Sequence, residues 1–374
     1  MFYLRKPANR LCALQAFFNL MQKTFRALLP ALALTIGFSS CSEDFDVLAP
    51  AKPYTVVYGI LDASEPVNYV RIQRAYADPN KSALDLAKLP DSSYFPNIAV
   101  TMQEVGSSAP PVTLNRVAMA DKNPGTFFTK PNYAYEITQP LTPGRTYRVL
   151  IKNNDNGNVD TAETVIADVS GGRISELAPD INPNQKVELS PTNSSNSFED
   201  GTYSWRVLQY PLSATIKYMN AMVRFHFREQ PVGGGAQTEK TVDYIFSRPV
   251  NTGGNGWDTK VPSDKFNNFY IAIANALGDA PAGTERLVDS ADLIAYFGTP
   301  ELYTYQQNQI AIGGLGGDQV QYRYTNIRGK DVIGVLASRG KIQRLRVPLS
   351  DGTVAALKVN PNTQKSNITG RVMP

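Results

Sequence analysis

The strongest constraint on the fold of this chain is the way its apolar residues are distributed. They fall in short runs rich in β-branched and aromatic side chains, each bounded by Pro, Gly, Asn or Asp. Tyr54-Thr-Val-Val-Tyr-Gly-Ile60, Asn68-Tyr-Val-Arg-Ile-Gln-Arg74, Ile98-Ala-Val-Thr-Met-Gln103 and Thr146-Tyr-Arg-Val-Leu-Ile151 are four of them. Such runs predict strands, and their spacing is that of a sandwich rather than of alternating βαβ units. The expected fold class is therefore mainly β.

Two local patterns sharpen this reading. Leu141-Thr-Pro-Gly144-Arg-Thr-Tyr147 resembles the corner of immunoglobulin-like and fibronectin-type domains, in which a tyrosine hydroxyl bonds back to the chain, so Tyr147 is read as structural. Asn153-Asn-Asp155-Asn-Gly157-Asn-Val-Asp160 crowds carboxylates and amides as a calcium loop does. Asn156-Gly157 between two extended runs is a hairpin signal, however, and the bidentate Glu of a regular calcium loop is missing. A hairpin is expected, and no metal site is assigned.

A boundary is expected near Gly171-Gly172. The organisation is then a leader over 1–40, an acidic tether over 41–52, and an immunoglobulin- or transthyretin-like β-sandwich over 53–170. A Pro-, Asn- and Ser-rich linker or surface loop over 171–200 precedes a second β-rich domain over 201–374 with one or two short helices. Strands resume at Thr202-Tyr-Ser-Trp205-Arg-Val-Leu-Gln-Tyr210 and Ala221-Met-Val-Arg-Phe-His-Phe227. In the latter, Val223, Phe225 and Phe227 share one face and Arg224, His226 and Arg228 the other. The apolar set is core, and the basic set is a solvated face or an anion clamp. Gly233-Gly-Gly235 reads as the turn to Lys240-Thr-Val-Asp-Tyr-Ile-Phe246.

Helical signals are sparse. Ser263 to Leu277 starts with a cap residue, yet Phe269-Tyr-Ile-Ala-Ile273 suits a strand equally, and Arg286 to Tyr296 is as mixed. Thr299-Pro300-Glu301 opens the better helix, with a cap, Pro at the first position and Glu in the first turn. On it Tyr303 and Tyr305 stand about 200° apart, too far round to form one platform.

Location is legible ahead of the strands. Lys23 and Arg26 precede the apolar stretch Ala27 to Phe38, then Ser39-Ser40-Cys41. The stretch is too short to span a bilayer. With cysteine directly after small residues, it resembles a bacterial lipoprotein signal, which implies acylation of Cys41 and anchoring to a membrane. Residues 1–20 precede a second start at Met21 and read as an overlong n-region or a spurious extension. Ser42-Glu43-Asp44 resembles the acidic signal that carries Bacteroidota lipoproteins to the outer face of the outer membrane, with an ordinary solvated linker as the alternative. Asp160-Thr161-Ala162 and Asp289-Ser290-Ala291 resemble the O-glycosylation acceptor of that phylum, which marks Thr161 and Ser290.

The leader also carries the excess charge. Of 37 basic residues five, Arg5, Lys6, Arg10, Lys23 and Arg26, lie in it with no acid, leaving 32 against 33 acids. The basic balance therefore gives no support to nucleic-acid binding. Cys12 goes with the leader, so the fold is expected to rely on burial rather than disulfides.

The order of pieces resembles a family of Bacteroidota outer-membrane lipoproteins that carry a domain of unknown function. The resemblance rests on the lipobox and acidic tether, the Tyr54 start, Tyr69-Val-Arg-Ile-Gln-Arg-Ala-Tyr76, and Tyr324-Thr-Asn-Ile327-Arg-Gly-Lys-Asp-Val-Ile-Gly334-Val-Leu-Ala337. The family's closing motif ends Gly-x-Phe-Gly, from which Gly334-Val335-Leu336-Ala337 departs in its last three positions. Proximity of such proteins to TonB-dependent receptors implies nutrient capture or receptor assembly. The resemblance transfers no catalytic residue.

Catalytic motifs are missing from the sequence. The only histidine is His226, flanked by phenylalanines, and there is no Gly-x-Ser-x-Gly elbow, His-Glu-x-x-His or paired-cysteine site. No catalytic residue, metal or cofactor is assigned. A glycoside hydrolase escapes this filter because two carboxylates suffice, and sequence does not show which acids face each other. The favoured reading is a non-catalytic, lipid-anchored surface lipoprotein that captures a glycan or peptide ligand or partners a TonB-dependent receptor. A structural or adhesive subunit is the other non-enzymatic alternative. Ligand contact is expected on loops such as Asn251 to Trp257, at Asn255 and Trp257, with Trp257 packed against its own sandwich as the alternative.

Overall fold

The computed structural model describes residues 54–75, 78, 81–175, 186–190, 201–208, 213–246, 250–251, 258–313 and 324–372. Cys41 and the Ser42-Glu43-Asp44 tether lie outside them. The first half supplies β1 (Tyr54–Asp62), β2 (Asn68–Ala75), β3 (Ile98–Glu104), β4 (Val112–Thr113), β5 (Asn115–Ala118), β6 (Tyr133–Ile137), β7 (Thr146–Asn153), β8 (Val159–Val165) and β9 (Arg173–Ser175). The second supplies β10 (Thr202–Tyr203), β11 (Arg206–Leu208), β12 (Tyr218–Pro231), β13 (Thr238–Ile245), β14 (Val250–Asn251), β15 (Asp258–Lys260), β16 (Asp264–Lys265), β17 (Thr284–Gly298), β18 (Ile327–Arg328), β19 (Val332–Val347) and β20 (Ile368–Arg371). The helices are α1 (Ala83–Ala87), α2 (Pro90–Ser93), α3 (Phe266–Leu277), α4 (Pro300–Gly313) and α5 (Asp351–Val359).

The protein is mainly β. Its spine is a ten-stranded sheet in the order β13-β12-β17-β19-β1-β2-β6-β5, with β14 added on β12 and β20 on β17. Against the β1-β2-β6 end lies a five-stranded sheet, β18-β8-β7-β3-β4. Alternate residues of both sheets interdigitate to make the sandwich core, among them Val57, Leu61, Val70, Ile72, Val100, Met102, Val149 and Ile151. The Tyr147 hydroxyl accepts the Thr142 N–H at 3.1 Å, the tyrosine corner expected from the sequence. The turn between β7 and β8 is the expected hairpin, with the Asn153 N–H donating to the Asn158 carbonyl and Gly157 at φ +73°.

The second core gathers Trp205, Phe225, Phe227, Phe269, Tyr270 and Phe297, every one of them at most 1 % exposed. α3 joins it because Phe266, Phe269, Tyr270 and Ile273 recur at i, i+3, i+4 and i+7, which places all four on one buried face. That spacing resolves the helix–strand ambiguity of the segment. α4 begins at Pro300 as the sequence suggests. α5, which the sequence patterns did not single out, is capped by Ser350, whose hydroxyl accepts the Thr353 N–H at 2.9 Å.

The change of core falls near Gly171-Gly172, where the sequence marks a boundary, but the sheet runs through it. β1 pairs in parallel with β19 from Thr55↔Val332 to Asp62↔Arg339, and residues Ala51–Pro374 cluster as one compact unit. The closing motif makes this seam. Gly334 opposes Val57 at φ +131°, and a Cβ there would stand 1.8 Å from the Val57 carbonyl oxygen. The Asn326 amide binds both backbone groups of Leu336, accepting from its N–H at 3.0 Å and donating to its carbonyl at 2.6 Å. Ser338, fully buried, donates to Leu61 O at 2.9 Å and accepts from Ala167 N at 3.0 Å.

Candidate binding groove

The two ends of one face of the large sheet, opposite the two cores, differ in how their charges are satisfied. Around β12 the basic trio forms an ordered ionic ladder on a partly solvated face rather than an anion clamp, with the Arg224 and Arg228 side chains 40 and 42 % exposed. Arg224 holds Asp243 by two hydrogen bonds of 2.6 and 2.8 Å. His226, 5 % exposed, places Nδ1 2.9 Å from Glu239 and Nε2 2.9 Å from Asp292. Arg228 binds Asp289 at 3.2 Å, and Arg346 bridges Glu239 and Asp289 at 2.9 and 3.4 Å. Hydrogen bonds from His226 and then Arg346 hold the Glu239 carboxyl below its ordinary range, and Arg224 does the same for Asp243. Every cation of the trio already has its counter-ion.

This packing corrects one sequence expectation. Ser290 sits on the central strand β17 paired to His226, and it is 4 % exposed. Its neighbour Asp289 is taken by Arg228 and Arg346. An acceptor serine inside the sheet is closed to a glycosyltransferase in the folded chain. Thr161 is half-buried on β8, at the edge of a small cleft described below. Asn255 and Trp257 lie outside the described residues.

An open groove lies elsewhere, on the outer face of β1 and β2. Strand alternation turns Val57, Leu61, Val70 and Ile72 into the sandwich and leaves Tyr54, Val56, Tyr58, Tyr69, Arg71 and Gln73 pointing away from it. Tyr58 stands directly across the strands from Arg71, and Val56 from Gln73. One lobe, about 380 Å³, lies under α1 and α2 and is closed by Lys122 and Phe127. The other, about 560 Å³, runs over Tyr58, Tyr69, Met119 and Ala134. Arg71 and Gln73 line both lobes, so the two read as one groove.

Both ends are built from aromatic contacts. Tyr305 of α4 meets Tyr58 with ring centroids 5.8 Å apart, while Tyr303 meets Tyr218 at 5.8 Å, so the two helix tyrosines serve different partners. At the far end Tyr94 packs edge-on against Phe128 and Tyr133 at 5.9 and 5.2 Å. Lys122 lies over the Phe128 ring with Nζ 3.8 Å from its centroid. Burial, and then the nearby Arg71 guanidinium, push the Lys122 ammonium below its ordinary pKa. Burial pushes the Tyr58 hydroxyl up, so it stays neutral. Among the described residues, none lining either lobe is an Asp or Glu.

A second cleft, about 340 Å³, lies between β8 and the start of α4 and brings Glu163 and Glu301 to one lining with Thr161 and Arg328. Glu163 is held by Arg148 at 2.6 Å. Glu301 Oε2 is buried without a hydrogen-bond partner. Sequence offered no signal for this pairing, since the two acids are far apart in the chain, nor for Lys122 in the groove. Among the described residues no group of three His, Cys, Asp or Glu side chains is placed to hold a metal ion, and no helix is long and apolar enough to cross a membrane.

No protein-family model matches the chain, and no curated protein does. Among solved structures it is similar to the CBD12 fragment of CALX1.2, at 8 % identity and TM-score 0.18 over 78 % of this chain and 99 % of that one. The calcium-binding domain CBD12 of CALX1.1 is similar at 7 % identity and TM-score 0.16, over 78 % and 98 %. Likeness at such scores carries no argument about fold or ligand.

Proposed function

We propose that this protein is a non-catalytic binding protein, held on the outer membrane by acylation of Cys41, which captures a ligand at the cell surface for a TonB-dependent receptor. The observation that carries the binding part is the groove over β1 and β2. Its floor is a sheet that presents tyrosine rings and the Arg71 guanidinium beside the Lys122 ammonium, and among the described residues no carboxylate in the lining could act as acid or base. The location rests on the sequence around Cys41 and on Ser42-Glu43-Asp44. The experiment is palmitate labelling of the wild-type chain and Cys41→Ala in a Bacteroidota host, followed by detergent pull-down. Label that depends on Cys41, together with co-purification of a TonB-dependent receptor, supports the reading. An unlabelled wild-type protein overturns the anchor, and failure to recover a receptor overturns the partnership.

The cleft holding Glu163 and Glu301 favours a second reading, a two-carboxylate glycoside hydrolase. Against it, one of the two acids is already engaged, since Glu163 is held by the Arg148 guanidinium at 2.6 Å. Turnover of a polysaccharide panel that is lost in both Glu163→Gln and Glu301→Gln would establish the enzyme.

A further inference from the structure

We propose that the groove takes an acidic saccharide, whose carboxylate sits between Arg71 and Lys122 and whose sugar ring lies on Tyr58 and Tyr69. The inference rests on the binding reading above and gives it a ligand chemistry.

The argument begins with charge. Arg71 makes no hydrogen bond or ion pair among the described residues, although it projects from the middle of a strand. The Lys122 ammonium lies over the Phe128 ring at 3.8 Å, with the Tyr94 ring at 6.0 Å. Burial first and then the nearby positive charge of Arg71 disfavour the charged form of Lys122, which raises the free energy of the empty groove. The nearby carboxylates do not line it. Asp121 pairs with Lys130 at 3.0 Å, and Asp85 accepts from Ser82 at 2.7 Å. Glu136 stands directly across from Tyr69 on β6, on the same outer face but outside the lining of both lobes, and Asp91 offers its carbonyl to Arg74. None of the four lines the groove. A ligand that brings its own anion therefore gains the full interaction, without first displacing a protein carboxylate.

Shape and chemistry narrow the ligand further. A guanidinium presents a planar fork of donors that matches a carboxylate, and the nearby ammonium adds a point charge. Beyond the cations the groove continues over the rings of Tyr58 and Tyr69, 42 % and 37 % exposed, on which the apolar face of a sugar ring can rest. The Gln73 amide, shared by both lobes, can bond neutral hydroxyls. The β12 end makes the contrast, since its cations are already neutralised within the sheet.

The test is isothermal titration of the full-length chain in detergent with trigalacturonate and, as the neutral counterpart, maltotriose. The expected results are at least tenfold tighter binding of trigalacturonate, and a loss of about ten- to a hundredfold in each of Arg71→Gln and Lys122→Gln. Maltotriose should lose less than trigalacturonate in those two variants, and unchanged far-ultraviolet circular dichroism and urea midpoint show that they are folded. The absence of trigalacturonate binding overturns the inference, as does equal affinity for the two probes. If Tyr58→Ala weakens both probes while Arg71→Gln and Lys122→Gln weaken neither, the anion assignment falls and the groove stands. If no variant changes the binding of either probe, both fall.

Discussion

Replacing Gly334 with alanine tests the claim that one continuous sheet joins the two cores. Gly334 lies on β19 at φ +131°, in the left-handed half of backbone space, and directly faces Val57 on β1. An added Cβ would stand 1.8 Å from the Val57 carbonyl oxygen and 2.8 Å from its carbon and nitrogen, contacts that only backbone movement can relieve. Backbone strain at such a position costs about 1–3 kcal/mol, and forcing a methyl group into a closed space about 1–3 more. Gly157 supplies the control. It too has a positive φ, +73°, but nothing lies within 4 Å of its would-be Cβ, so Gly157→Ala carries only the conformational cost, about 1–2 kcal/mol. Urea unfolding of the full chain, followed by tryptophan fluorescence for the second core and far-ultraviolet circular dichroism for all strands, reads the difference. Gly334→Ala should lose about 1–4 kcal/mol more than Gly157→Ala, and its two probes should no longer coincide. Equal losses in the two variants would refute the reasoning, because the close approach of β1 and β19 would then have no energetic consequence.

The remaining predictions are shorter. Tyr147→Phe removes the acceptor for the Thr142 N–H and should cost about 1–2 kcal/mol in urea unfolding, with no change in trigalacturonate binding. Glu239 and Asp243 have folded pKa values below their ordinary 4.5 and 3.8, so the unfolded chain takes up their protons first as pH falls. Their contribution is complete above about pH 4.5 and is lost as pH drops through the lowered folded values, so Arg346→Gln and Arg224→Gln should flatten the fall in urea midpoint below pH 4.5. Asp160 has the opposite sign. Burial raises its folded pKa above 3.8, so it costs stability at neutral pH and nothing below the unfolded value. Asp160→Asn should raise the urea midpoint at pH 7 and leave it unchanged at pH 3.

What the sequence showed of the fold depended on whether an element buries one face or two. Tyr147, the Asn156-Gly157 turn and the alternation of Val223, Phe225 and Phe227 against Arg224, His226 and Arg228 were all legible, because local geometry or a half-buried strand leaves a periodic trace. β17 left none. Leu293, Ile294, Ala295 and Phe297 are all buried, on both faces of a central strand, so its run of apolar residues suited helix and strand alike. The parallel pairing of β1 with β19 was equally hidden, since it joins residues from opposite ends of the described chain. The closing Asn-Ile and Gly334 of the family-like motif were visible as residues, but the structure supplies their task, holding that seam together.

The candidate site was hidden for a related reason. Tyr58 and Arg71 each belong to strands recognised from sequence, and what makes them a site is that they stand opposite each other, outside the sandwich, under a loop that brings in Lys122 from fifty residues further on. Charge counting could not find it, because the chain behind the leader is nearly balanced. Near-balance over the whole molecule conceals an uneven distribution on one sheet. On the β12 side each basic residue of the trio has a carboxylate within 3.2 Å, and on the β2 side Arg71, Arg74 and Lys122 line a groove whose lining, among the described residues, holds none. A sheet that pairs its charges so fully at one end has no structural need to set Arg71 and Lys122 near each other at the other. The free energy they cost the empty protein would be returned when an anion enters, which favours the β1–β2 end of this face over the β12 end for the proposed site.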